Sequence, residues 1–269
     1  MISFHFHGEL GNNLFQLATC LNTCITHNSE YECLNTRETW VTKPLEINSL
    51  FDYDFKLKDK LTQNYDQYLH NDVLDLNDAN YNFGYSVLPY KNNVAYRGYF
   101  QSEKYFYDIK DELKNTYFKL NTDTIKYINS KYGKCLRNSI SVHVRLGGDR
   151  HKCLDIFPVT PIEFYQNAID LICETTNIEN VNVFSDNMTE ARKMFPNTVN
   201  FIEHETNIVD LTFMSMCSHN ILGNSTFSWW GAWLNKNDNI VVVPDSYWFG
   251  GRLSALNRND LFPSRWIKL

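Results

Sequence analysis

Long apolar runs are absent from this sequence. No stretch approaches the ~18 residues that a membrane-crossing helix needs, so no transmembrane segment is expected. The opening residues, MISFHFHGEL, lack the basic start and apolar centre of a signal peptide. The chain is therefore expected in the cytoplasm, where it can sit peripherally at a membrane that carries its substrate. Paired cysteines are missing as well. The seven cysteines are odd in number and scattered, with no CxxC pair, although Cys20 and Cys24 lie one helical turn apart. They read as reduced thiols. Basic charge is in deficit: 25 Lys and Arg against 31 Asp and Glu give a net charge of −6. That argues against a nucleic-acid binder working through a broad basic face and leaves room for a local basic pocket. There is no internal repeat, low-complexity tract or Gly/Ser linker. A chain of 269 residues forms one large domain or two ordinary ones. Aromatic residues are abundant, at 15%, and they suit both packing and the stacking of sugars or bases.

Along the chain, the pattern is that of alternating strands and helices. Residues 2–6 alternate and read as a strand, and Gly8 and Gly11 mark the turn after it. From Asn12, the residues Leu14, Leu17, Ala18, Leu21 and Ile25 recur at helical spacing. A second strand follows near 31–34. Residues 36–95 show few periods, and their acidic pairs, Asp52/Asp54 and Asp75/Asp78, read as solvated loop carboxylates rather than metal ligands. A strand and turn are expected over 94–102, and helices over 103–113 and 121–132. From Ser139 the order becomes regular. There are strands at 139–145, 181–184, 199–202 and 240–243, with helices at 162–174, 189–195 and 208–217 between them. Thr160-Pro161-Ile162-Glu163 has the form of a capping box. This alternation predicts α/β architecture with parallel sheets covered on both faces. The change in regularity near 135 suggests an α/β unit over 1–136, a nucleotide-type α/β unit over 137–250, and an aromatic, basic tail over 251–269 that packs back.

The stretch from Asn220 to Leu234, NILGNSTFSWWGAWL, reads as a buried strand, a turn of small residues and a helix. Trp229, Trp230 and Trp233 are expected in the core. Small residues let backbone N–H groups approach a ligand, and the helix start that follows is a seat for phosphate. Three loops leave the carboxyl ends of predicted parallel strands: His143–Asp149, Ser185–Asn187 and Gly223–Ser228. Loops so placed converge on one crevice. Arg145 offers a planar fork that fits phosphate, and the hydroxyls of Ser225, Thr226 and Ser228 complete a cradle. Asp186 could accept from the N–H edge of a guanine ring, and Phe227 could supply a stacking face. Structural alternatives are an Arg145–Asp149 ion pair and a helix-capping role for Asp186. The glycosylation sequons at Asn187 and Asn224 read as coincidences.

Five segments occur in an order that carries a family resemblance: GELGNNLFQLA at 8–18, YRGYFQSEKYF at 96–106, HVRLGGD at 143–149, VFSDN at 183–187 and HNILGNSTFSWWGAWLN at 219–235. Together they resemble the α-1,2-fucosyltransferase family, glycosyltransferase family eleven. The resemblance implies a GT-B-like fold of two Rossmann-like domains facing across a cleft, GDP-fucose as donor, no metal and no other cofactor, and inversion at the transferred sugar carbon. It implies an acceptor glycan ending in galactose and attack through its O2. It also implies that Arg145 binds the donor β-phosphate and that His143 lies beside the nucleotide. Asn12 would face the active site, and Asn224, Ser225, Thr226 and Phe227 would form the last donor-binding motif, with Asp186 in the fourth. The sequence departs from the family pattern in an extra glycine before Asp149, in Asn13 where glutamine is usual, and in Glu9. His5, His7, Glu9 and Asp149 stand near the expected site, and none is singled out as the general base. Two rival readings are a catalytically silent sugar-nucleotide or glycan binder, and a transferase using another GDP-sugar or linkage.

Overall fold

The computed structural model describes residues 1–36, 45–58, 72–77, 82–147 and 153–269. Asp78 and Asp149 lie outside the described residues. The chain divides into two compact units: Met1–Lys119 with Leu256–Pro263, and Leu120–Ala255 with Ser264–Leu269.

The first unit is built on a five-stranded parallel sheet. Its strands are β1 (Ile2–Phe6), β2 (Tyr31–Asn35), β3 (Leu57–Lys58), β4 (Asp72–Asp75) and β5 (Val94–Arg97), in the order β3-β2-β1-β5-β4. β1 is buried along its whole length, as expected of a central parallel strand covered on both faces. Helix α1 (Leu10–His27) lays Leu14, Leu17, Ala18 and Leu21 into the core, and ends on Asn28 in the left-handed conformation. Phe4 stacks on Tyr96 at 4.9 Å and meets Phe100 edge-on at 5.7 Å. The helix expected over 103–113 is broken instead. It forms 3-10 turns at Glu103–Tyr105 and Tyr107–Ile109, because the backbone leaves the helical region at Phe106 (φ −142°, ψ 20°). Among the acidic pairs, Asp52 bridges Lys119 at 3.1 Å, Asp54 accepts from Asn48, and Asp75 bridges Arg97 at 3.6 Å.

The second unit holds β6 (Ser139–Val144), β7 (Asn180–Ser185), β8 (Asn200–Phe201), β9 (His219–Ile221), β10 (Val241–Val243) and β11 (Ile267–Lys268). All are parallel, in the order β11-β10-β9-β6-β7-β8. The chain winds outward from β6 through β7 to β8, then returns to β6's other side and winds outward from β9. The strand order therefore reverses between β6 and β9. Helices α2 (Thr122–Leu136), α3 (Ile162–Cys173), α4 (Met188–Met194), α5 (Asn207–Met216) and α6 (Thr226–Trp233) supply the cover. Ile140, Val142 and Val144 alternate onto the face that meets Phe164, Tyr165, Ala168 and Ile172 of α3. A second core joins Ile128 of α2 to Phe184, Phe213 and Met214, so α2 belongs to this unit and the division falls after Lys119 rather than near 136. Trp229, Trp230 and Trp233 are all buried, with ring centroids 5.1 to 6.2 Å apart. The capping box at Thr160 does not form. Pro161 is extended (ψ 155°), so the helix starts at Ile162, and the Thr160 hydroxyl finds no hydrogen-bond partner among the described residues.

The tail divides between the units. In the first, Asp260 takes a proton donor from Lys104 Nζ at 2.5 Å and from the Tyr85 amide at 2.9 Å, while Leu261 and Phe262 are buried. In the second, β11 extends the sheet beside β10.

Candidate active site

The carboxyl ends of β6 and β9, where the strand order of the second unit reverses, are the place at which open α/β sheets seat their ligands. His143 is the penultimate residue of β6, and Arg145 is the first residue after it. Gly223 follows β9 at such close quarters that a Cβ there would meet the His143 carbonyl oxygen at 2.7 Å and the Arg145 amide nitrogen at 3.3 Å. Only a residue without a side chain lets the two loops touch in this way. Past Gly223, Ser225 caps α6, its hydroxyl accepting from the Phe227 amide at 3.3 Å. The first N–H groups of a helix have no partner within it, and they collect beside Arg145's loop as partial positive charge.

The side chains of this turn divide into two sets. Asn224 is buried and donates its amide to the carbonyls of Pro158 at 2.9 Å and Tyr247 at 3.0 Å, tying three loops together. Ser228 is also buried, and its hydroxyl turns back onto the carbonyls of Gly223 and Ser225, at 3.2 and 3.0 Å. This is the ordinary behaviour of a serine in a helical turn, whose hydroxyl reaches the preceding carbonyls. Both side chains thereby help to build the turn. Ser225, Thr226 and Phe227 remain partly open at the start of α6. The Phe227 ring stands 5.9 Å from that of His143 and packs partly against the second core.

Asp186, the residue after β7, sits on the other side of Arg145. Its Oδ2 accepts from Arg145 Nη1, and its Oδ1 accepts from the amides of Leu146 and Gly147, both at 2.8 Å. Burial pushes the carboxyl up, but the Arg145 guanidinium and the two amides outweigh it, and Asp186 titrates below the usual carboxylate range. Among the described residues, Arg145 forms its ion pair with Asp186. The cap of α4 is Asn187, whose side chain accepts from Glu190 N at 3.3 Å. That leaves Asp186 free of the capping role. Nothing in the composition of VFSDN distinguishes these duties. The register does, because Val144 and Ser185 are paired neighbours and Arg145 and Asp186 follow them directly.

In the first unit, the glycine turn after β1 carries a polar cluster of its own. Gly8 has φ +71°, and the space of its missing Cβ is taken by the Asn12 side-chain amide. Asn12 is half-buried and its side chain is bonded to Gln101 at 2.9 Å. Asn13, where the resemblance leads one to expect glutamine, is buried against the His7 carbonyl and Gln16. Gln16 also reaches the Gly98 carbonyl at 3.1 Å, joining α1 to the end of β5. His7 rests on Tyr99 at 4.4 Å. His5 is buried, and its pKa is pushed down to about 4, first by burial and then by the Arg97 charge. An imidazole held neutral over so wide a range is a poor acid and a weak base. Glu9 is exposed and makes no side-chain cap to α1.

Among the described residues, no three His, Cys, Asp or Glu side chains are grouped to hold a metal, and no helix is long and apolar enough to cross a membrane. The cysteines in this set are free thiols.

Comparison with known proteins gives consistent results. The profile of glycosyl transferase family 11 matches residues 1–269. An alpha-1,2-colitosyltransferase of Escherichia coli is 32% identical over 187 residues, 66% of this chain and 63% of that protein. The O-antigen biosynthesis glycosyltransferase WbnK of Escherichia coli is 31% identical over 194 residues, 68% of this chain and 63% of its own length. The chain thus spans less than two thirds of these curated relatives. Among solved structures, that of NodZ alpha-1,6-fucosyltransferase soaked with GDP-fucose matches with a TM-score of 0.55 at 12% identity, covering 93% of this chain and 97% of that one. At that identity the likeness speaks for the fold, which is of the GT-B-like α/β class with two Rossmann-like units.

Proposed function

Because the chain belongs to glycosyl transferase family 11, we propose that it is an inverting glycosyltransferase that takes a 6-deoxy sugar from a GDP-sugar, fucose in the first instance, and attaches it to a hydroxyl of a glycan. The observation that carries this reading is Arg145 beside the start of α6, at the reversal of strand order in the second unit. When the bond between sugar and nucleotide breaks, the electron pair stays on the β-phosphate oxygen and GDP leaves. The Arg145 guanidinium and those first-turn N–H groups of α6 that the Ser225 cap leaves open are the groups proposed to stabilise that charge. The acceptor hydroxyl attacks the opposite face of the sugar carbon and its proton passes to a base or to water, which inverts the configuration.

In this reading His143, Arg145, Ser225, Thr226 and Phe227 line the donor site, while Asn224 and Ser228 shape it. Asn12 keeps, within this proposal, the catalytic role that the resemblance implies. The chemistry of the cradle supports metal-free transfer, since positive charge is already present where a divalent ion would otherwise be needed. The acceptor expected from the family is a terminal galactose attacked through O2.

A second donor has its own support: a relative 32% identical carries colitosyltransferase in its name, and colitose is fucose without one ring hydroxyl. The deciding assay measures GDP release and product from GDP-fucose and GDP-colitose, separately and in competition, across a panel of galactose-terminated acceptors. Transfer from GDP-fucose supports the first reading, transfer from GDP-colitose alone supports the second, and binding of either without turnover on any acceptor overturns transferase activity.

A further inference from the structure

The first unit has a reversal of strand order of its own. From β1 the chain passes to β2 and β3 on one side, while β4 and β5 fill the other, so the carboxyl ends of β1 and β5 stand side by side. That is the kind of place at which open α/β sheets seat ligands. A side-chain hydrogen bond spans it: Gln101, in the loop after β5, donates through Nε2 to Oδ1 of Asn12 at 2.9 Å. We infer that Gln101 is a positioning residue for Asn12, holding the amide oxygen so that the NH2 is the end turned to an oxygen of the sugar substrates. The inference rests on the role proposed for Asn12 and concerns what orients it.

The loop that carries Gln101 has an unusual shape. Phe100, the residue before it, stands in the left-handed region at φ +50°. A bulky residue adopts that conformation at a cost, and such residues gather at functional sites. The Phe100 ring is buried and held edge-on to Phe4 at 5.7 Å and to Tyr105 at 5.5 Å. It also lies over Gly98, where a Cβ would meet it at 2.9 Å. Asn82 pins the backbone on both sides of Phe100. Its side-chain oxygen accepts from the Tyr99 amide and its carbonyl from the Gln101 amide, each at 2.8 Å. Gln101 is itself buried, so its bond to Asn12 is made from a fixed backbone. Asn12 lies in the first turn of α1, and its Nδ2 occupies the space beside Gly8. The two ends of an asparagine amide are nearly equal in shape, and its terminal torsion is broad and two-fold. Packing alone therefore does not choose which end faces which way. A donor placed against one end does choose, because only the oxygen can accept from it.

Three substitutions separate orientation from packing. Gln101→Glu keeps the shape and removes the donor. Its carboxylate repels Oδ1 and draws the Asn12 NH2 toward itself, which leaves the oxygen at the Gly8 turn. Gln101→Met removes the donor without adding charge. Asn12→Asp keeps the bond from Gln101 and deletes the NH2. At saturating donor and acceptor, kcat should fall on the order of tenfold to a hundredfold in Gln101→Glu, Asn12→Asp and Asn12→Ala, and by less in Gln101→Met. The double variant of Gln101→Glu with Asn12→Ala should be no slower than Asn12→Ala alone, since the two residues act through one contact. A glutamine that merely held its loop would lower Tm and slow turnover to the same extent whether or not Asn12 is present.

Wild-type kcat in Gln101→Glu beside an impaired Asn12→Ala would overturn the inference and leave the role of Asn12 standing. That is the result expected if Asn12 donates to Gln101, the reverse of the bond described. A compounded loss in the double variant would overturn the inference too. Wild-type turnover in Asn12→Ala would overturn the proposed role of Asn12 and the inference with it. If circular dichroism finds Gln101→Glu unfolded, Gln101→Met decides, and an unchanged kcat in that variant would overturn the inference. Absence of transfer by the wild-type protein would count against the proposed function, and the bond is then read directly by NMR. In protein with isotope-labelled asparagine, the side-chain signal that vanishes in Asn12→Asp belongs to Asn12. Gln101→Glu should move one of its protons downfield as it bonds the carboxylate, and an unmoved signal would overturn the inference.

Discussion

Gly223 is where the fold and the proposed chemistry meet most closely, so one added methyl group is the sharpest perturbation available. In Gly223→Ala the new Cβ would lie 2.7 Å from the His143 carbonyl oxygen, where ordinary contact begins at 3.4 Å, a shortfall of 0.7 Å. The neighbour is main chain, not the end of a flexible side chain, so no rotamer change relieves it. The Arg145 amide nitrogen at 3.3 Å and His143 Nδ1 at 3.0 Å block escape toward the loop. Either β9's end or β6's end must move, and the groups carried on them move too. Overpacking of this kind costs roughly 1–3 kcal/mol of stability, which for a protein of this size is a fall in Tm of about 2–4 °C per kcal/mol. Displacing the arginine proposed to bind phosphate, and a helix start, by several tenths of an ångström should lower kcat by on the order of tenfold to a hundredfold. Gly133 provides the control. It lies in α2 with nothing within 4 Å of a new Cβ, so Gly133→Ala should leave turnover unchanged and stabilise by up to ~1 kcal/mol. The assay is donor turnover with thermal melting of both variants. A Gly223→Ala protein with wild-type kcat and Tm would refute the claim that these loops are held against each other.

Arg145→Ala should lose about a hundredfold or more in turnover while keeping the wild-type circular dichroism spectrum, and Arg145→Lys should be badly impaired too, because the fork matters beyond the charge; near-normal turnover in a folded Arg145→Ala protein rejects the phosphate role. Activity should persist in excess EDTA, and loss reversed by a divalent ion would contradict metal-free transfer. His5 makes stability depend on pH: it titrates near 6.5 when unfolded and at about 4 when folded, so the unfolded chain takes up the proton first, and stability present above about pH 6.5 is lost as pH falls toward 4. That difference, at about 1.4 kcal/mol per pH unit, amounts to about 3 kcal/mol. Urea midpoints at pH 7 and 4.5 should therefore converge in His5→Asn relative to wild type, and an equal pH slope in both proteins would exclude His5 as the source.

Much of the second unit could be read in advance because its strands are short apolar runs bounded by turn residues, and its helices repeat at 3.6. The buried tryptophans, the β6 and β9 loops and the switch between them follow from that pattern. What could not be read was the use to which each polar side chain is put. Asn224 and Ser228 have the chemistry of ligands and the positions of ligands, yet their hydrogen bonds go to carbonyls from Pro158, Tyr247 and the turn itself. Asp186 reads as a base contact or a cap; the cap falls to Asn187, and the pairing of β6 with β7 sets Asp186 beside Arg145, a neighbour the sequence alone does not point to. The break at Phe106 and the failed capping box at Thr160 had periodic sequences behind them. There, tertiary burial of Tyr105 and Phe106 and the extended backbone of Pro161 prevail over local preference.

The path of the tail has a consequence for how such a protein can be recombined. Because Leu256–Pro263 belongs with the first unit and Ser264–Leu269 with the second, the spatial units are not single segments of gene. A chimera that exchanges the nucleotide-type unit by one crossover after Lys119 would bring a foreign Asp260, Leu261 and Phe262 to a first unit whose Lys104 and Tyr85 are matched to the native ones. An exchange that respects the fold needs three junctions, after residues 119, 255 and 263, so drift in the tail ties the evolution of each unit to the other.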